Sequence, residues 1–413
     1  MGSFSAPLSG LTAAQDQLQS VSNNLANIDT DGYKDQTLTF SDIFAQAGAT
    51  NGSGDPVQIG GGVTVSSTVT NVTEGTLNAT NVASNMAISG NGYFVTQGSA
   101  GSVNYTRTGD FTTNNAGQLV TPDGELLLGY PAANGVVNTS GALQTLQVSN
   151  ITSPAVVSTT VGITANLDSS TAIGGTATSS TATVYDSLGA AHTLTVSYDK
   201  TAANTWTYTV TVPSADITGG TGTTTTVGSG TLNFDGSGQL TSTTNAVPIS
   251  IPTLADGATS PLTLTGPFGT AASPTITQTD SASTSSTATT DGFTSGTLSS
   301  YTVETDGTIE GTFSSGATQA LGQVAVASFA NTQGLVSTGN NNYLPTVASG
   351  EAVVGVAGTG GRGTIVGGDV EASNVNIATE FAKLIVAQQA YSANAKSVTT
   401  FNQVSQATLA MIQ

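Results

Sequence analysis

The feature that most constrains this chain is a pair of apolar, nearly uncharged helical segments, one near each end. Over Leu8 to Ile28, the residues Leu11, Ala14, Leu18, Val21, Leu25 and Ile28 alternate spacings of three and four. That pattern is a heptad seam along one face of a helix. Gln15, Gln17, Gln19, Asn23 and Asn24 occupy the other side, and Asp16 is the only charge in the run. Turn chemistry at Asp29-Thr-Asp-Gly32 predicts that this helix ends near Asn27. From Asn376 to Gln413 there is no Pro or Gly, and Leu384, Tyr391 and Val398 repeat every seven residues. Ala387 and Phe401 extend that face, and Val404 and Met411 prolong it less regularly. Asn374 or Ser373 is expected to cap the start of this second helix. Two such helices must bury their seams, and each is the other's nearest partner, so they are predicted to pack as a coiled coil.

The polar faces of both segments sharpen the expectation. A solvated helix carries Glu and Lys pairs, whereas these offer Gln, Asn, Ser and Thr. Neutral groups suit a helix with neighbours on several sides, where a buried charge is unfavourable. The reading is therefore of assembly helices inside a polymer rather than of a solvated stalk.

Between the helices the chain reads as β structure. Thr205 to Val212 alternates, with Trp206, Tyr208, Val210 and Val212 on one face, and His192, Leu194, Val196 and Tyr198 do the same in the preceding strand. Turn signals recur at Asp123-Gly124, Asp235-Gly236, Asp291-Gly292 and Asp306-Gly307. Residues 149–291 are the richest in Thr and Ser, and the Gly-rich stretch 44–62 suggests an extended connector. The expected fold is mainly β with terminal α-helices in an out-and-back multidomain chain. Residues 1–33 and 369–413 would form the helical assembly domain and 34–74 the connector. Residues 75–148 with 292–368 would form an inner β domain, and 149–291 an outer β domain inserted into it.

Charge and composition exclude several functions. Charged residues make up 8% of the chain, against about 25% in an ordinary soluble domain. The net charge of −19 comes with only six Lys and Arg. They form no cluster that could displace counterions from nucleic acid or an anionic membrane, so neither is an expected partner. No apolar run approaches the length that spans a bilayer, so no membrane insertion is expected. Nucleophile–base pairs mostly need a His, and His192, in phase with Leu194 and Val196, reads as a structural strand residue. The single His and the absence of Cys argue against a zinc site, and no cofactor or metal is expected. The 25 acidic residues leave carboxylate-pair chemistry open, though several sit in Asp-Gly turns. The reading is of a non-enzyme. The segment Met1 to Gln15 lacks the basic and apolar regions of a secretory signal, yet the Thr-, Ser- and Gly-rich composition looks extracellular. Export by a route that reads no ordinary signal peptide is expected.

Several motifs then carry a family resemblance. Ser9-Gly-Leu-Thr-Ala-Ala14 followed by Ser22-Asn23-Asn24-Leu-Ala-Asn27-Ile-Asp-Thr-Asp-Gly32-Tyr33-Lys34 resembles the N-terminal signature of bacterial flagellar rod and hook proteins. The body adds Ile88-Ser-Gly-Asn-Gly92-Tyr-Phe94 and Tyr105-Thr-Arg107-Thr-Gly109-Asp-Phe111, running on to Gly117-Gln-Leu-Val-Thr-Pro-Asp-Gly124. At the other end, Glu371-Ala-Ser-Asn-Val-Asn-Ile-Ala-Thr-Glu-Phe381, Gln388-Gln-Ala-Tyr391 and Asn394-Ala-Lys396 resemble the family's closing helix. Asp31 departs from the Pro or small residue of many relatives, and 149–291 carries no signature. The position of that insertion, between two halves of the body, resembles the hook branch of the family rather than the rod branch. The resemblance implies a subunit exported by the flagellar type III apparatus and a homopolymer, a flexible curved tube that transmits torque from rod to filament. Its implied partners are the hook cap, the distal rod and the hook–filament junction proteins. The alternatives are a distal rod or hook-associated axial protein or, from a different class, a secreted β-rich adhesin or carbohydrate-binding protein.

Overall fold

A computed structural model describes residues 5–44, 49–50, 56–57, 60–244, 248–270, 273–285 and 288–411. A helix stands near each end, α1 at Ser5–Ala26 and α2 at Ile377–Met411, and strands fill most of the chain between them. The chain divides into two units. One comprises Met1–Ser149, Tyr301–Gly311 and Gln319–Gln413, and the other Asn150–Ser300 and Thr312–Thr318.

In the first unit, the outgoing and returning chains run side by side. Leu77–Ala79 pairs antiparallel with Asp369–Glu371, and Met86–Ser89 with Thr364–Gly367. The strand Tyr93–Gln97 pairs with Val103–Thr106, Leu126–Ala133 and Thr318–Ser328. Its side chains alternate between two apolar layers, as a period of two requires. Phe94 packs with Phe111, Leu127, Val324 and Val326 on one face, and Tyr93 and Val95 join Tyr105, Leu128, Ala325 and Ala327 on the other. The rings of Phe94 and Phe111 meet edge to face at 5.2 Å, a favourable geometry for two aromatics.

Residues 34–74, expected as an extended connector, instead contain a two-stranded antiparallel ribbon. Gln36–Phe44 runs against Gly60–Thr70 in a register from Gln36↔Thr70 to Phe44↔Gly60. Period-two patterns at Leu38, Phe40 and at Val63, Val65 dictate it, and the Gly content between them obscured the signal. Most of the Gly-rich stretch 44–62 lies outside the described residues. The ribbon is tied to α1, where Ser20 Oγ donates to the Gln36 carbonyl and the Val63 N–H donates to Ser9 Oγ.

The second unit is built on a five-stranded antiparallel meander of Thr176–Tyr185, Ala191–Ala202, Thr205–Pro213, Thr224–Phe234 and Leu240–Thr244. Trp206, Tyr208, Val210 and Val212 are all buried, as are Leu194, Val196 and Tyr198 of the neighbouring strand. Trp206 donates its indole N–H to Gln278 Oε1 at 2.7 Å, so its one polar atom is satisfied in the core. The Asp291-Gly292 turn also ties two stretches of chain together. Its carboxylate accepts the N–H groups of Thr159 and Thr160 at 2.8 and 2.9 Å, which ties the returning chain to the outgoing one.

Candidate functional site

The helices form an antiparallel pair, because Gly10 meets Asn394 at one end and Asn24 meets Glu380 at the other. At the first contact a Cβ on Gly10 would lie 2.9 Å from the Asn394 side chain, so glycine permits the close approach. In α1, Val21, Ala13 and Ala14 are buried, and Leu11, Leu18 and Leu25 are half-buried. The helix ends at Ala26, so Ile28 sits half-buried in the following turn.

In α2 the inward line differs from the expected one. Glu380, Ala387 and Asn394, seven residues apart, face α1, and Ala387 is fully buried. Leu384 and Val398 flank that line half-buried, whereas Tyr391, Phe401, Val404 and Met411 are exposed. Small residues at the contact let the two backbones approach, which leaves the bulky apolar residues on the outside. The cap also differs. Asn376 Oδ1 accepts the Thr379 N–H at 3.1 Å, as an N-cap does, and Asn374 instead donates to the carbonyls of Asn71 and Thr73.

Ile377, Phe381 and Ile385 recur every four residues on α2, and Phe381 and Ile385 are 48% and 52% exposed. At 100° per residue this stripe lies well away from the line that faces α1. Val386 and Leu409 are also exposed, at 60% and 62%. Residues 399–411 are exposed throughout. No helix among the described residues is long and apolar enough to cross a membrane.

Beneath the helices lies a buried polar junction that holds many of the motif residues. Asn24, 1% exposed, donates from Nδ2 to Glu380 Oε2, Asp35 Oδ1 and the Gln36 carbonyl at 3.1, 2.6 and 2.9 Å. Its Oδ1 accepts the Tyr33 hydroxyl and the Gln36 N–H at 3.0 and 3.1 Å. Tyr33 Oη also accepts from Asn23 Nδ2, and Asn27 Nδ2 donates to the Asn23 carbonyl at the end of the helix. Burial, with the Asp35 and Glu380 carboxylates nearby, pushes the Tyr33 hydroxyl up to about 12, so it stays a donor. Lys383 Nζ caps the network 2.6 Å from Glu380 Oε1.

A second cluster surrounds Glu371, which is fully buried. Lys34 Nζ lies 2.5 Å from Oε1 and Arg107 Nη1 lies 3.1 Å from Oε2. Arg107 also donates to the carbonyls of Ile88 and Gly90. Burial lowers the Lys34 pKa, and the Glu371 carboxylate opposes that shift. The Gly75 N–H donates to Glu371 Oε1, and the Gly32 N–H donates to its backbone carbonyl at 2.7 Å. Gly32 must be glycine, with φ +71° and the Thr108 nitrogen 2.7 Å from where a Cβ would sit. A Cβ added to Gly109 would likewise sit 1.6 Å from the Met86 carbonyl oxygen. Gly92 packs against Val326, Phe94 and Phe111 are core, and Gly124 turns after Asp123.

Three of the six Lys and Arg therefore converge on Glu371 and Glu380. Sequence reasoning missed both acids as site residues. Their signal was local scarcity, two carboxylates beside an apolar helix start in a chain with few charges. The arrangement has structural rather than reactive chemistry: saturated ion pairs, and a hydroxyl held protonated.

Four family models match the chain. They are Flagella basal body rod protein over residues 7–34, Flagellar hook protein FlgE/F/G D1 domain over 87–167, Flagellar basal body protein FlaE D2 domain over 150–293, and Flagellar basal body rod FlgEFG protein C-terminal over 366–411. The flagellar hook protein FlgE of Escherichia coli (strain K12) is 36% identical over 97% of this chain and 98% of its own length. That of Salmonella typhimurium is 35% identical with the same coverage. The crystal structure of the Helicobacter pylori flagellar hook protein FlgE2 is similar in fold, with a TM-score of 0.50 at 16% identity over 70% of this chain and 98% of that one.

Proposed function

This chain belongs to the flagellar hook protein family and is a structural subunit of the hook; from that premise we propose that α2 and α1 together are its assembly site. The observation that carries this reading is the exposed apolar stripe at Ile377, Phe381 and Ile385. An exposed apolar stripe of this kind marks a surface for another protein. The covering surface is the helix pair of further copies, repeated around and along a tube. A heterologous contact that does not close on itself generates such a helical polymer.

The remaining parts follow in the same reading. The junction at Asn24 and Glu371 fixes α2 on the body, so that helices packed in a wall hold the β domains in a defined place. The β-rich parts of the two units make the remaining contacts between subunits. Their Thr- and Gly-rich faces make polar contacts that slide, which lets a curved tube bend while it transmits torque from rod to filament. The subunit acts without catalysis, leaves the cell through the flagellar type III apparatus and works outside it. It meets the distal rod, the hook cap and the hook–filament junction proteins.

Electron microscopy of the concentrated full chain tests the reading. Curved tubes are expected. Monomers that instead bind glycans would favour a secreted β-rich adhesin.

A further inference from the structure

One cluster of ligating side chains stands apart from the assembly site, in the second unit. His192, on the strand Ala191–Ala202, is 5% exposed and is met by three carboxylates from three different loops. Asp186 Oδ2, from the turn before that strand, lies 3.1 Å from His192 Nε2. Asp256 Oδ2, from the loop between Ile249–Ile251 and Leu262–Leu264, lies 3.9 Å from the same nitrogen. Asp216 Oδ2, from the short helical turn Ser214–Asp216, lies 3.1 Å from Nδ1 on the other side of the ring. One imidazole cannot neutralise three carboxylates, so ionised side chains leave the cluster with a net negative charge.

We propose that His192, Asp186 and Asp256 bind a divalent transition-metal cation, zinc foremost, with Asp216 as the residue that orients the imidazole. Three observations support the assignment. The ligand atoms of His192, Asp186 and Asp256 all lie within 4.8 Å of one another. Four donors about 2.1 Å from a tetrahedral zinc stand about 3.4 Å apart, and the 3.1 and 3.9 Å separations bracket that spacing. A nitrogen with two carboxylates is a donor set for a borderline cation, and the fourth position is left for water.

The third observation is the division of labour around the ring. Asp216 Oδ2 lies 3.1 Å from Nδ1 without an aligned hydrogen bond, while Nε2 bonds Asp186 Oδ2; with a metal on Nε2, the remaining ring proton would sit at Nδ1, facing Asp216. A carboxylate behind a metal-bound histidine performs that orienting role. Asp186 is equally prepared, because its Oδ1 accepts the N–H groups of Leu188 and Ala190 at 2.8 and 2.9 Å and its Oδ2 is aimed at the histidine. The loops are fixed by backbone bonds that do not involve the ligands. The Ala255 N–H donates to the Asp216 carbonyl at 3.0 Å, and the Thr259 N–H to Ser187 Oγ at 2.9 Å. Asp186 is buried and Asp256 is exposed, so an ion enters from the Asp256 side. Bound there, it would staple three loops of the second unit. The single His made such a site illegible in the sequence, because Asp186 lies only six residues away but Asp256 comes from a loop 64 residues on.

Calorimetric titration of chelator-stripped full chain with zinc chloride at neutral pH tests this. One ion per chain is expected, with a rise in the unfolding temperature of the second unit. Asp256→Asn removes a ligand at an exposed position and should weaken binding at least about tenfold. Asp216→Asn should weaken it by roughly 10–100-fold through the ring orientation alone. Absence of binding at millimolar zinc would overturn the proposal. So would wild-type affinity in both variants, which would place the ion among the surface carboxylates instead.

Discussion

The side-chain amide of Asn24 donates to the carboxylate of Glu380 across 3.1 Å, although 356 residues of chain separate them. Both are buried where α1 leaves the body and α2 begins. This contact makes the base of the helix pair a fixed joint. Asn24 also satisfies Asp35, Tyr33 and Gln36, so its loss strands several polar groups at once.

Asn24→Ala is therefore expected to destabilise the first unit by about 2–4 kcal/mol, since unsatisfied buried partners are more damaging than a missing bond. Urea unfolding followed by circular dichroism measures it. Limited proteolysis should show earlier cleavage near residue 376. A variant with unchanged stability and cleavage would contradict the joint.

Glu371→Ala leaves two buried cations without a counter-charge and should cost about 3–5 kcal/mol. Replacing Lys34 and Arg107 by Met together with Glu371→Leu should recover most of that loss, because the buried charges go with their partner. Denaturant midpoints of the two variants decide it. Equal losses in both would show that shape, not charge, holds this site.

Two glycines separate contact from backbone strain. Gly109→Ala drives a Cβ into the Met86 carbonyl and is expected to cost at least about 3 kcal/mol. Gly124→Ala has a φ of +88° but open space around it, so only the left-handed backbone opposes it, by roughly 1–2 kcal/mol. Thermal unfolding of the pair should rank them in that order.

The acid side tests Asp291. Burial pushes its carboxyl up, but the Thr159 hydroxyl and the Thr160 and Thr159 N–H groups outweigh this and hold it below the ordinary 3.8. A depressed carboxyl stabilises the fold above its unfolded pKa, and that contribution is lost as pH falls through 3.8 to the folded value. The stability difference between the wild-type chain and Asp291→Asn should stay constant above about pH 5 and shrink below pH 3.8. A difference that is flat to lower pH would remove Asp291 from the closure of the second unit.

Much of this fold is legible residue by residue. Trp206, Tyr208, Val210 and Val212 alternate in sequence and are buried together, because a period of two has one structural solution. The ends of the helices are almost as clear, with α1 stopping at Ala26, ahead of the Asp29–Gly32 turn. The line on α2 that faces α1 was not legible. Leu384, Tyr391 and Val398 form the larger apolar repeat, but close approach at Gly10 selects Ala387 and Asn394, which carry no strong hydrophobic signal. The ion pairs at Glu371 were hidden for another reason. Lys34 and Arg107 lie 337 and 264 residues from it, and no local period reports a contact at that range.

The central claim is that the exposed stripe of α2 is the contact between subunits, and Phe381→Asp with Ile385→Asp tests it most directly. Both side chains are about half exposed in the single chain, so the variant should unfold within about 0.5 kcal/mol of the wild type, as surface substitutions do. Electron microscopy and sedimentation of the concentrated variant should show monomers and no tubes. Tubes of wild-type form and yield from this variant would contradict the account.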